Sequence, residues 1–158
     1  MTYVSNYGCG ICSNFVLGTD MENPSEQQLL EKYIHNDQVF YSYIPRSWEP
    51  ETPYSAEEAT YCAREQGKFW EYRDMVFLNR DNPNFDSTDQ ETLRAYAEKL
   101  GLDMAEFNSC FDSHRTLQNV TDDVEYVSSI GPLNTLFFLV NDKTVFADEL
   151  FATIEGEL

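Results

Sequence analysis

The chain has 158 residues, with 28 Asp and Glu against 10 Lys and Arg, a formal net charge of −18. So few cations exclude a phosphate-gripping nucleic-acid surface and disfavour docking on anionic membranes. With 42% hydrophobic and 15% aromatic residues the chain can fold as one domain, or as a small fold carrying one insertion, and no apolar run approaches membrane-spanning length.

Residues 2–7 form a short β-prone run. Cys9-Gly10-Ile11-Cys12 follows at once, and Ser13 to Leu17 can continue as a helix. Two thiols three residues apart at a helix start share one face, close enough for a small disulfide ring. The first also sits where free backbone N–H groups and the helix dipole stabilise a thiolate. A strand, a CxxC and a helix in that order form the thioredoxin-like redox signature. Residues 18–23 read as a loop, after which Pro24 and Ser25 open a helix whose apolar stripe is Leu29, Leu30, Tyr33 and Ile34. Residues 38–44 alternate in the manner of a buried strand ended by Pro45, and residues 49–53 hold two prolines of a connector.

From 55 to 128 the pattern is helical throughout. Ser55-Ala56-Glu57-Glu58 and Thr88-Asp89-Gln90-Glu91 read as capping boxes, Gly67 as a break and Gly101 as a left-handed C-terminal cap. Phe69, Trp70, Tyr72 and Phe77 read as core aromatics at helical spacing, with a substrate groove as the alternative. Met104, Phe107, Cys110 and Phe111 continue at that spacing, and Leu117, Val120, Val124 and Val127 make the last stripe. Strand character returns at 136–140, Asn141-Asp142-Lys143 turns the chain, and Thr144-Val145-Phe146 pairs back as a hairpin. Asp148 then caps a short helix through Ile154. The order is that of an α/β, thioredoxin-like core with an inserted helical subdomain. The expected division is 1–50 and 129–158 for the core and 51–128 for the insertion, in one domain spanning 1–158. His35 and His114 form no metal-ligand spacing and read as surface residues, and no metal site is expected. The acid excess reads as a solubilising surface, or alternatively as adaptation to high salt.

The run from Cys62 to Phe77, CAREQGKFWEYRDMVF, resembles almost letter for letter the insertion helices of the DsbA-like thiol:disulfide oxidoreductases. Residues 96–103, residues 107–110 and the Val4-Ser5-Asn6-Tyr7-Gly8-Cys9 approach to the redox site support the resemblance over essentially the whole length. It implies a protein disulfide oxidoreductase with Cys9 as nucleophile and Cys12 as resolving thiol; the alternative for the pair is a plain stabilising disulfide or an inert relic. Gly10, Ile11, Thr135 and Leu136 would face the substrate, and no organic cofactor is implied. Its partners would be cysteine-containing protein substrates and a redox partner that recycles the Cys9–Cys12 pair. Its place would be extracytoplasmic, in the periplasm or at the cell surface, with a signal or anchor segment absent from this chain. Cys62 and Cys110 each read alone as a buried small hydrophobe; as a pair on insertion helices they read as a structural disulfide.

The departures bear on mechanism. The family's Gly-Thr-Pro-Thr loop is here Asn134-Thr135-Leu136-Phe137, which puts Leu136 where a cis-proline would face the disulfide. A cis bond before a non-proline residue costs about 3–4 kcal/mol, so a trans bond is expected, with the leucine packed at the disulfide. Tyr3 stands where relatives can carry an acidic residue able to relay a proton, which a tyrosine does poorly near neutral pH. Gly10-Ile11 offers neither charge nor rigidity, which points to a less oxidising poise than the about −120 mV of strongly oxidising members. These departures leave a second reading, a redox-impaired binding module on the same scaffold that holds a partner protein or a thiol-bound metal.

Overall fold

Residues 1–20, 22–49, 51–131 and 137–158 are described by the computed structural model. They divide into two units, Met1–Pro45 with Val127–Leu158, and Arg46–Tyr126.

In the first unit, β1 (Thr2–Ser5), β2 (Ser42–Pro45), β3 (Phe137–Val140) and β4 (Lys143–Val145) form one sheet in the order β2-β1-β3-β4. β1 runs parallel to β2 and antiparallel to β3, and β3 is antiparallel to β4. Because strand side chains alternate, each face has its own residue set. Tyr3 is registered with Tyr43 and Phe138 on one face. Phe15, from α1 (Gly10–Leu17), packs there at 4.9 Å from the Tyr3 ring and 5.0 Å from Phe138. Val4, Ile44 and Phe137 share the opposite face, together with Leu139 and with Val127 near the end of α7 (Leu117–Ile130). α2 (Glu26–Leu29) widens into one π turn (Leu30–Ile34), and α8 (Leu150–Glu157) follows a 3-10 turn (Ala147–Glu149).

The second unit is helical: α3 (Ala56–Arg64), α4 (Phe69–Asn79), α5 (Gln90–Lys99), α6 (Met104–Asp112) and the start of α7 (Leu117–Ile130). Tyr72, Val76, Phe77, Leu93, Phe107 and Phe111 are among its large buried side chains. The Tyr72 hydroxyl donates to the Leu93 carbonyl at 2.8 Å, so its one polar atom is satisfied in the interior.

Several elements differ from the sequence expectation. β1 stops at Ser5, because Asn6 begins a turn. β2 begins only at Ser42: the Gln38 and Val39 N–H groups bond back to the Tyr33 carbonyl, and Phe40 is 83% exposed. The α5 cap is Asp89, accepting from the Thr92 N–H, and not Thr88. Ser55 caps α3, but the Glu58 carboxylate returns to the Tyr54 N–H rather than to Ser55. Asp148 lies inside the 3-10 turn, and α8 starts without a side-chain cap. Asn141 takes a positive φ of 55°, which suits the two-residue hairpin turn between Val140 and Lys143.

Candidate functional site

β1 delivers the chain to a turn built by Asn6. Its side-chain oxygen accepts from the Gly8 N–H at 2.7 Å and its carbonyl from the Cys9 N–H at 3.0 Å. A Cβ on Gly8 would sit 3.0 Å from that side-chain oxygen, close enough that the Asn6 side chain would have to shift to admit one. Cys9 is the N-cap of α1, and its sulfur accepts the Cys12 N–H at 3.2 Å. The two cysteines form a disulfide with Cα atoms 5.2 Å apart. Cys12 is fully buried, Cys9 is half-buried and Ile11 is 64% exposed. The first turn of α1 carries no acidic residue. In the reduced state the helix N-terminus and the Cys12 N–H therefore favour negative charge on Cys9, while burial of Cys12 favours its neutral thiol.

Below the disulfide lies an aromatic layer. Tyr3 is fully buried, stacks on Phe138 at 4.8 Å, and donates a long hydrogen bond of 3.5 Å to the Cys12 carbonyl. Ser5 and Tyr43 pair their hydroxyls at 3.0 Å in the same layer. The floor of the site is thus made of rings and hydroxyls, and α1 is pinned to it through Phe15.

Beside α1 a cleft of about 410 Å³ is lined by Ile11, Phe15, Pro24 and Phe146, with Asp20 and Asp148 among its polar residues. Gly10, the first residue of α1, and Ile11 carry the surface next to the sulfurs. Thr135 and Leu136, expected to face the disulfide, lie outside the described residues, as does the Thr135–Leu136 bond. Sequence reasoning missed the cleft's acidic residues and Phe146, because nothing local in 20–24 or 146–148 signals that the chain brings them to the CxxC helix.

Cys62 of α3 and Cys110 of α6 form a second disulfide, with Cα atoms 5.8 Å apart and both residues essentially unexposed. The Thr116 hydroxyl lies 3.4 Å from the Cys62 sulfur and donates to the Glu58 carbonyl at 3.0 Å. The buried Glu58 carboxylate takes the Tyr54 N–H at 2.7 Å and meets His114 Nδ1 at 3.1 Å. His114 is therefore a packing residue, edge-on to Tyr54, and not the free surface histidine its sequence context suggests. Burial pushes the Glu58 carboxyl above its ordinary range and its neighbour Glu57 up to about 7. Among the described residues no three His, Cys, Asp or Glu side chains are grouped to hold a metal ion.

The family profile described as Thioredoxin matches residues 1–156. The chain belongs to the thioredoxin family. Within it, the fold is similar to that of oxidised BdbD from Bacillus subtilis, with a TM-score of 0.76 at 20% identity over 99% of this chain and 86% of that one. It is equally similar to Chlamydia trachomatis DsbA, at a TM-score of 0.76 and 18% identity over 99% and 84% of the two chains. Among curated proteins, the Na(+)/H(+) antiporter NhaA of Herminiimonas arsenicoxydans is 25% identical over 143 residues, covering 78% of this chain and 22% of that protein. NhaA 3 of Salinispora tropica is 32% identical over 93 residues, covering 58% and 14%. The chain thus spans about a fifth or less of the length of these curated relatives.

Proposed function

We propose that this thioredoxin-family chain is a DsbA-like thiol:disulfide oxidoreductase that exchanges disulfides with protein substrates through Cys9 and Cys12. The observation that carries the reading is the asymmetry of the pair: Cys9 caps a helix N-terminus through its sulfur and is half-buried, whereas Cys12 is fully buried. A substrate thiolate attacks the Cys9 sulfur, the Cys9–Cys12 bond breaks, and Cys12 leaves as a thiolate that takes up a proton. The second substrate thiolate then attacks the substrate sulfur of the mixed disulfide and expels Cys9 as a thiolate. Two electrons pass to the chain, the substrate gains one disulfide, and a redox partner must remove the electrons to restore Cys9–Cys12. The reverse sequence reduces a substrate.

Cys62–Cys110 is assigned a structural part, and Gly10, Ile11, Thr135 and Leu136 are assigned to substrate contact. An oxidising, extracytoplasmic setting, in the periplasm or at the cell surface, suits a chain whose four cysteines are all paired. The test is labelling of the reduced protein with one equivalent of alkylating agent, followed by peptide mass spectrometry. The label is expected on Cys9; labelling chiefly on Cys12 overturns the assignment of roles.

A further inference from the structure

The cleft beside α1 combines apolar side chains with two carboxylates. Ile11 enters its wall from between the two cysteines, Phe15 follows one turn later, and Phe146, 43% exposed, stands among the lining residues with Pro24. Asp20 and Asp148 are its charged residues, and no Lys or Arg lines it among the described residues. The Glu22 N–H and the Asn23 side-chain amide each donate to the Asp20 carboxylate at 2.9 Å, which holds its pKa below the ordinary value. Across Met1–Pro45 and Val127–Leu158 the sequence has ten Asp and Glu, two Lys and no Arg. Both lysines are tied up, Lys32 with Glu155 and Lys143 with Glu157.

We infer that this cleft selects cationic substrates: an extended, cysteine-bearing protein segment lays an apolar side chain against Ile11, Phe15 and Phe146, and its flanking Lys or Arg meets Asp20 and Asp148. The inference rests on Cys9–Cys12 as the exchanging couple. The attacking group is itself a thiolate, and it must approach a unit in which acidic side chains far outnumber lysines. A neutral or acidic segment brings that anion in against the field. Flanking cations cancel the repulsion and steer the encounter, which acts on the association rate. The apolar contact then holds the segment beside the half-buried Cys9.

The test uses dithiol peptides identical except beside the reacting cysteine: apolar with two Arg, apolar with two Glu, and serine with two Arg. Each rate against the oxidised protein is divided by the same peptide's rate against the neutral disulfide of 2-mercaptoethanol, which removes differences in thiol reactivity. At about 10 mM salt the apolar Arg peptide is expected to react about tenfold faster than the Glu peptide, and the ratio is expected to fall below about threefold at about 1 M salt. The serine peptide is expected to lose several-fold. Asp20→Asn with Asp148→Asn should cut the Arg-to-Glu ratio several-fold. Glu91→Gln with Glu98→Gln, an equal charge change on exposed positions of α5, should move it less than about twofold. Equal normalised rates for the Arg and Glu peptides overturn the inference, as does an equal loss in both double variants, which would make total charge and not the cleft responsible. Should the oxidised protein react with no peptide and with 2-mercaptoethanol no better, the exchanging couple itself is refuted, and the cleft's selectivity with it.

Discussion

Glu57 should make the protein less stable as pH rises through the mildly acidic range, and Glu57→Gln should remove that loss. Glu57 is 4% exposed, and burial raises its carboxyl from an ordinary 4.5 to about 7, with hydrogen bonds from Ser55 and its own backbone N–H offsetting only part. Below about pH 4.5 the carboxyl is protonated in both states and has no differential effect. From there to about 7 the unfolded chain releases the proton while the native chain keeps it, so stability falls as pH rises. Above about 7 both states are ionised and the deficit stays constant. At about 1.4 kcal/mol for each pH unit, the full effect is about 3 kcal/mol, and about 2.5 kcal/mol of it falls between about pH 5 and pH 8. Burial moves Glu58 and Asp123 in the same direction, so the unmodified protein's slope includes their shares. The difference between the stability curves of the parent and the Glu57→Gln variant isolates this residue. Urea unfolding of both oxidised proteins at about pH 5 and pH 8 is the assay, with the variant gaining about 2.5 kcal/mol relative to the parent at the higher pH. Parallel stability curves across that range refute a buried carboxyl at this position.

Two further outcomes follow from the disulfide and from the loop. Replacing both Cys62 and Cys110 by Ala should cost about 4 kcal/mol, the chain-entropy value for a crosslink between residues 48 apart; urea midpoints of the oxidised proteins check it, and a loss under about 1 kcal/mol would mean that the crosslink constrains little. Leu136→Pro is expected to raise disulfide exchange with protein substrates several-fold with little change toward small thiols, and an unchanged protein rate would show that the leucine is not what limits access.

Legibility followed sequence distance. The β1 end, CxxC and α1 occupy one continuous stretch, so their order, the helix start and the more exposed sulfur could all be read locally. Gly67 and Gly101 were readable for the same reason: each takes a positive φ at a helix end. The strand expected over 38–44 forms only from Ser42: alternation of Val39, Tyr41 and Tyr43 resembles a strand, but the Gln38 and Val39 N–H groups are spent on the Tyr33 carbonyl. Glu57 in a Ser-Ala-Glu-Glu start looks like a solvent-facing capping acid; only the packing of α3 buries it. The cleft is the extreme case, since Ile11, Asp20 and Phe146 meet through the fold and share no motif.

The two disulfides hold the same bond but stand in different surroundings, and those surroundings decide which one can turn over. Exchange requires an attacking thiolate to reach a sulfur in line with the bond and a leaving thiolate that can be stabilised. At Cys9 the first condition is met by partial exposure on a turn, with a cleft alongside, and the charge that appears on Cys9 when it leaves is met by the α1 N-terminus and the Cys12 N–H. Cys62 and Cys110 offer neither. Both lie within the helical interior, 1% and 0% exposed, where an incoming thiolate has no path and a departing one would be a buried anion. Thr116, the polar side chain in contact with Cys62, already gives its proton to the Glu58 carbonyl and has none left for a thiolate. On the proposed function, one pair is thereby suited to open, and the other to stay closed while the first cycles.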